Sequence, residues 1–447
     1  MRRGLRERVL EAASRHGMIG VLLLLAAFFS AATIREQSLA GEAAAEALAP
    51  RVETLARDGW TVVVAGRDSD EDRRFVRALS ERVAAAAPSA AETVLGDPAR
   101  LREALSRVAD AGPRRVWVAV PAPLAKVARG VLADLPALAG SEVLEPPTYR
   151  WPTFLLRENL LNVANQIAVI AVVAIGMTMV ILTGGIDLSV GSLIALAAVV
   201  AAWIVERLGA ESAGAGAMTV AALATIALCA AVGLFSGGVI VRFGVPPFIA
   251  TLAVMQVASG AAYLLSRGKP IYRLPPGFVA LGRGADPLLG VPWAVLLMLA
   301  LYGAAHVVMT RTVLGRHVYA VGGNAEAARL AGVRVGGVIA LAYAVSGALA
   351  GLGGVVMASQ LRSGAPTYGL MYELYVIAAV VVGGTSLSGG EGRVLGTLTG
   401  ALIIAVIQNG MNLTNVESYT QKVVLGLLIL GAVLLDRIKR RGIERKR

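Results

Sequence analysis

Nine runs of the chain carry no charged side chain and a tenth carries one, and each reaches the length of roughly 20 residues, with a range of about 17 upward, that an α-helix needs to cross a bilayer core. They are 17–34, 159–186, 188–205, 212–241, 243–266, 287–310, 335–361, 374–390, 394–416 and 418–435, the last holding only Lys422. A soluble core has no use for so many long apolar helices, because water must be met on one face of each. Composition agrees: 16% of the 447 residues are charged, against about 25% in a soluble domain, and mean hydropathy is +0.68. The expected fold is all-α and polytopic, with about ten transmembrane helices.

Basic residues set the expected orientation. Arg2, Arg3, Arg6, Arg8 and Arg15 precede the first run, and the tail after Leu435 holds seven basic and two acidic residues. Ten crossings place both ends on one side, and the positive-inside rule makes that side cytoplasmic. The loop 311–334, with Arg311, Arg316, Arg329 and Arg334, falls on the same side. The first run can be read as a retained anchor or as a cleaved signal peptide; either way the chain beyond it is outside. A multi-pass membrane location with both ends on the cytoplasmic side follows.

Residues 36–150 interrupt the pattern with 15 basic and 17 acidic side chains. Gln37–Arg57 reads as a helix, Trp60–Ala65 as a strand and Asp70–Ala86 as a helix with Phe75, Val76, Leu79 and Val83 on one face. Asp97-Pro98 looks like a helix start, Val116–Val120 like a strand, and Leu124–Leu132 like a helix. This alternation implies a small inserted α/β domain outside the membrane. The expected division is 1–35 for the N-terminus and first helix, 36–150 for the insert, 151–438 for the transmembrane domain and 439–447 for a basic tail.

Three segments put glycine and polar residues where lipid disfavours them. The first holds Thr183, Gly184, Gly185, Asp187 and Ser189. A carboxylate at membrane depth faces a cavity or a partner, so Asp187 either caps the next helix or meets a solute. The second, with Gly383, Gly384, Thr385 and Ser386, repeats the pattern; it is a hairpin between short helices or the matching half of a transport path. The third, on the cytoplasmic side, has Asn324 as an N-cap, Ala325–Leu330 as a short helix and Gly332 as its end.

Other chemistry is poorly supplied. One cysteine, Cys229, and three scattered histidines give no metal centre. No G-x-x-x-x-G-K-[ST] and no G-x-S-x-G occurs, so ATP with its Mg²⁺ would be handled by another chain. The excess of basic charge lies at membrane flanks and does not point to nucleic acid.

The strings Ala174–Ser192, Leu314–Gly332 and Val380–Thr397 closely resemble the permease subunit of bacterial ABC sugar importers of the ribose/xylose/arabinose/galactose type. The resemblance covers about 151–438. It implies a transport subunit that is not itself an enzyme, a homodimeric or paired pore, a cytoplasmic ATPase and an extracytoplasmic sugar-binding protein. It also implies an ATPase-contacting helix at Asn324, Glu326, Ala327, Ala328, Arg329 and Gly332, and a translocation path near the two glycine segments. Two departures stand out: the long insert after the first span, and Tyr375, where such permeases often carry Asp. Arg267 and Arg362, on other outer loops, are candidate contacts for a docking protein. An ion-coupled transporter would need more buried ionisable groups than Asp187, and a membrane sensor would not need ten spans.

Overall fold

The computed structural model describes residues 3–87, 91–110 and 115–444. Met1, Arg2 and 445–447 of the basic tail lie outside them. The chain divides into two compact units, Ile34–Thr153 and the remainder.

The first helix, α1 (Arg3–Ala32), belongs to the larger unit. The smaller unit then runs β1 (Ile34–Ser38), α2 (Gly41–Arg57), β2 (Thr61–Gly66), α3 (Asp70–Ala86), β3 (Ala91–Leu95), α4 (Pro98–Asp110), β4 (Val116–Ala119), α5 (Ala122–Ala133), β5 (Glu142–Leu144) and β6 (Thr148–Pro152). Four parallel strands form a sheet in the order β3-β2-β4-β5. Strand β2 is apolar without alternation because both its faces are covered. Val62 and Val64 pack on α2 and α3 through Leu48, Val52, Phe75 and Leu79. Val63 and Ala65 pack with Leu101, Leu105, Leu124 and Ala128 of α4 and α5. Helix α3 starts at Ser69, whose hydroxyl accepts the Asp72 N–H, and its first turn holds Asp70, Glu71 and Asp72, favourably placed for the helix dipole.

The unit's two ends pair as an antiparallel ribbon, Ile34 opposite Pro152 through Ser38 opposite Thr148. This differs from the sequence reading at both edges. The helix expected from Gln37 begins at Gly41, because Gln37 and Ser38 are spent on the ribbon. Trp151-Pro152, expected outside the insert, is strand; Pro152 sits at its end, where a missing N–H is tolerated.

The larger unit continues with α6 (Arg157–Leu182), α7 (Val190–Arg207), α8 (Ala215–Phe243), α9 (Pro247–Ser266), α10 (Pro276–Arg283), α11 (Trp293–Arg311), α12 (Val313–Gly323), α13 (Ala325–Leu330), α14 (Val335–Leu361), α15 (Tyr372–Val382), α16 (Val394–Leu413) and α17 (Ser418–Glu444). Among the described residues seven helices (α6, α7, α8, α9, α11, α14 and α16) are long and apolar enough to cross a membrane. Shorter apolar helical stretches occupy Gly17–Ala32, Tyr372–Val382 and Ser418–Gly431. The expected run 374–390 is helical only to Val382, because Gly384 takes a left-handed φ of +88° and stops it.

Helix α6 is the axis of this unit: nearly every residue from Ile167 to Leu182 is buried. Helices α8 and α14 come together at small residues. A Cβ at Gly237 would lie 2.7 Å from Ala340 Cα, and one at Gly351 would lie 2.9 Å from Cys229 Cβ. Close backbone approach of this kind is how helices gain packing when lipid supplies no hydrophobic drive. Helix α1 docks on α16 with Phe29 against Gly410.

Candidate functional site

The two glycine segments begin with the same backbone device. After α6, the Gly184 N–H donates to Ile181 C=O (2.9 Å) and the Gly185 N–H to Val180 C=O (3.0 Å), with Gly184 at φ +82°. After α15, the Gly384 N–H donates to Val381 C=O (2.9 Å) and the Thr385 N–H to Val380 C=O (3.1 Å), with Gly384 at φ +88°. Both are Schellman-type ends that need a left-handed residue, supplied by glycine.

Beyond the caps the segments diverge. Asp187 is 1% exposed. Its Oδ1 accepts the Ser189 N–H (3.0 Å) and hydroxyl (2.6 Å), and its Oδ2 accepts the Ser346 hydroxyl (2.8 Å) from α14. Of the two roles open to Asp187, capping the next helix or meeting a solute, these bonds bear on the first: its carboxylate takes an N–H at the start of the third apolar run, though at the N-cap residue itself and not inside α7. Its backbone bond goes to Ser189, before α7 begins, and Ser189 itself makes no side-chain cap. Asp187 therefore closes the preceding turn and ties it to α14. Tyr343 packs over Gly185, with its hydroxyl 3.4 Å from Ile186 C=O. In the second segment the Ser386 N–H donates to Glu391 C=O (2.9 Å). Thr385 is buried, and its hydroxyl has no partner among the described residues.

The structure brings the two segments together with the end of α12. The Gly390 N–H donates to Leu182 C=O (2.9 Å), the carbonyl at the end of α6. Gly322 lies against both: a Cβ there would fall on Leu182 O and 2.6 Å from Gly390 N. The Tyr319 hydroxyl donates to Gly392 C=O (2.9 Å). A second link crosses between the helices, where the Thr178 and Thr397 hydroxyls share a buried bond of 2.8 Å. Helix α12 is absent from the sequence reading; its signal is Thr312, whose hydroxyl accepts the Gly315 N–H as an N-cap, followed by buried Val318 and Val321.

Directly after this junction stands α13. Asn324 Oδ1 accepts the Ala327 N–H (2.9 Å). The helix closes through Gly332 at φ +86°, with the Val333 N–H donating to Ala328 C=O (3.0 Å). Ala328 is buried and anchors it, while Glu326, Ala327, Arg329 and Leu330 are exposed, Leu330 by 82%. Glu326 and Arg329 form an ion pair. The helix is thus held at both ends and offers one apolar tip flanked by two charges.

Arg267 and Arg362 are both exposed and both left-handed, at φ +52° and +55°, ending α9 and α14. The loops after them pair through reciprocal Ile271–Gly364 bonds of 2.9 Å, so the two cations sit at one end of the unit. They are apart from the glycine junction in sequence and in bonding. No group of three His, Cys, Asp or Glu side chains that could hold a metal is present among the described residues.

Interrupted helices joined at a buried polar junction, inside a bundle of long apolar helices, define a multi-pass membrane protein. Residues 159–433 match the family described as the permease component of the branched-chain amino acid transport system, and the chain belongs to that family. It is 44% identical over 294 residues to the ribose import permease protein RbsC of Escherichia coli K12, covering 64% of this chain and 88% of that one. It is 45% identical to RbsC of Bacillus subtilis (64% and 87%) and 38% identical to the L-arabinose transport system permease protein AraH of Escherichia coli K12 (65% and 86%). No solved structure matches. The family match begins after the smaller unit.

Proposed function

We propose that this chain is the membrane-spanning subunit of an ATP-driven importer of a monosaccharide or similar small polar solute. What chiefly supports this is the junction of Leu182, Gly322 and Gly390, which couples the two interrupted segments to the base of an exposed, doubly capped helix. A push on α13 reaches both glycine turns through three backbone positions. On this reading Thr183, Gly184, Gly185, Asp187, Ser189, Gly383, Gly384, Thr385 and Ser386 shape the path, and Asn324, Glu326, Ala327, Ala328, Arg329 and Gly332 form the contact with a separate ATPase, which binds ATP and Mg²⁺. The three shorter apolar stretches complete ten spans in a bacterial inner membrane, with both termini and α13 cytoplasmic and residues 36–150 outside. Two copies pair around the pore, and a secreted sugar-binding protein docks from outside, aided by the 36–150 insert and by Arg267 and Arg362.

The test is to purify the chain with its ATPase and binding protein and measure ATP hydrolysis stimulated by sugar-loaded binding protein. Glu326→Arg turns the α13 ion pair into two like charges on the contact surface, and is expected to reduce the stimulated rate by about tenfold or more, the scale of losing one charged contact. Normal stimulation in a folded, inserted Glu326→Arg variant would move the ATPase contact elsewhere.

A further inference from the structure

After α14 the chain re-enters the bundle instead of starting a helix at its edge. Segment 363–371 runs along α7. A Cβ at Gly364 would meet Ala202 Cβ at 2.6 Å, and one at Gly369 would meet Ile194 Cβ at 3.0 Å. From Ala202 to Ile194 is eight residues of helix, about 12 Å, and the chain covers that distance through a series of turns, with the Tyr368 N–H donating to Ala365 C=O (3.2 Å). Helix α15 starts only at Tyr372, after Met371 at φ +68°. This places its first turn beside Gly191, level with the Asp187–Ser189 turn. That turn's partner Ser346 is eleven residues into α14, about 16 Å from the helix start.

Glu373 stands at this break. It is half-buried, and its carboxylate lies against Gly191, where a Cβ would sit 3.4 Å from Glu373 Cδ and closer still to Oε2. Unlike Asp187, whose oxygens are filled by Ser189 and Ser346, it has no hydrogen bond or ion pair to another described residue. Tyr372 and Tyr375 flank it, their rings edge to face with centroids 6.0 Å apart. Both are half-buried, and neither hydroxyl has a partner among the described residues. An unpaired carboxylate at membrane depth is too costly to be incidental. With two phenols on the same turn, it offers acceptors for hydroxyl groups and aromatic faces for C–H surface.

We propose that Glu373, with Tyr372 and Tyr375, is a hydroxyl-binding station within the path, read by a neutral polyhydroxylated solute during passage. This rests on the importer reading above and names the residues that would hold the solute.

The complete importer in vesicles is given D-ribose or D-galactose, each beside a form lacking one hydroxyl (2-deoxy-D-ribose; 2-deoxy- and 6-deoxy-D-galactose). The same binding protein is used throughout, so changes between variants belong to this chain. Glu373→Gln is expected to slow uptake of the parent sugar about tenfold or more, the loss of a charge-assisted hydrogen bond, while slowing at least one deoxy form far less. Glu211→Gln, on an exposed loop, is the control. A parallel fall for all sugars would mark Glu373 as structural, and uptake unchanged for all would remove it from the path; either overturns the proposal. Wild-type uptake that collapses when choline replaces sodium would give the carboxylate to a cation, with the same effect. A wild-type complex whose ATP hydrolysis is stimulated by no sugar-loaded binding protein would overturn the importer reading itself, and this proposal with it.

Discussion

The two glycine turns share a beginning and part company three residues later. Each ends its helix with a left-handed glycine and a bond back to a valine carbonyl, Val180 or Val380. After that, the first turn climbs back into the bundle. Asp187 bonds Ser346, which packs on Gly176, six residues before the end of α6, or about 9 Å up its length. The second turn instead folds on itself and rests against Leu182, Gly322 and Tyr319. The shared cap is a backbone solution to stopping a helix. The residues beyond the cap give the two turns different roles. A fully satisfied carboxylate locks the first, whereas the second leaves a hydroxyl with no partner among the described residues.

The sharpest way to break that contrast is at the point where the turns meet. Gly322 faces two backbones that cannot yield as a side chain would. Gly322→Ala should cost about 1–3 kcal/mol or more, and Gly322→Val should leave little folded protein in detergent. The neighbouring Gly323 has open space at its Cβ, and Gly323→Ala should be neutral or stabilise by about 0.5–1 kcal/mol. Thermal unfolding of the two alanine variants decides it. Equal melting temperatures would mean that the turns do not meet at Gly322.

The next effect in size concerns the locked turn. Asp187→Leu strips the acceptor from the Ser189 N–H and from two hydroxyls, and should cost about 1–3 kcal/mol for each group left buried without a partner. Asp187→Asn keeps an oxygen for Ser189, and its amide can donate to the Ser346 hydroxyl, so most of the stability and transport should survive. If Asn and Leu variants were equally inactive while fully folded, the charge itself would matter and the structural role argued for Asp187 would fall.

Each glycine segment is visible in the sequence, because glycine pairs and hydroxyls are conspicuous inside apolar runs. Their meeting is not. It depends on Gly322, one of many glycines, and on α12, whose apolar positions sit in a short loop between spans. Ser346 is equally inconspicuous in an Ala- and Gly-rich helix until Asp187 is seen to reach it. Glu373 escapes notice for a different reason: a search for charge-free runs stops at a charge, so the run starts at Leu374. The segment 363–371 reads as an ordinary loop, since nothing local says that its turns pack along α7. In the smaller unit, Asp70–Ala86 and Thr61–Gly66 announce themselves by a helical apolar face and a valine run. The ribbon joining β1 and β6 is invisible because its pairing spans the whole insert and its mostly exposed residues show no regular apolar alternation.

The smallest predicted effect has the opposite sign and therefore sharpens the comparison most. Thr385 holds a buried hydroxyl with no partner among the described residues, and Thr385→Val keeps its shape. Removing an unsatisfied group should raise stability by about 1 kcal/mol, where removing the Asp187 carboxylate lowers it. On the reading that the second turn meets solute, Thr385→Val should melt higher yet take up sugar severalfold more slowly. A higher melting temperature with unchanged uptake would take Thr385 out of the path and make the two turns alike in being purely structural. A lower melting temperature would mean that the hydroxyl is bonded after all, and the contrast between a filled and an unfilled turn would have to be abandoned.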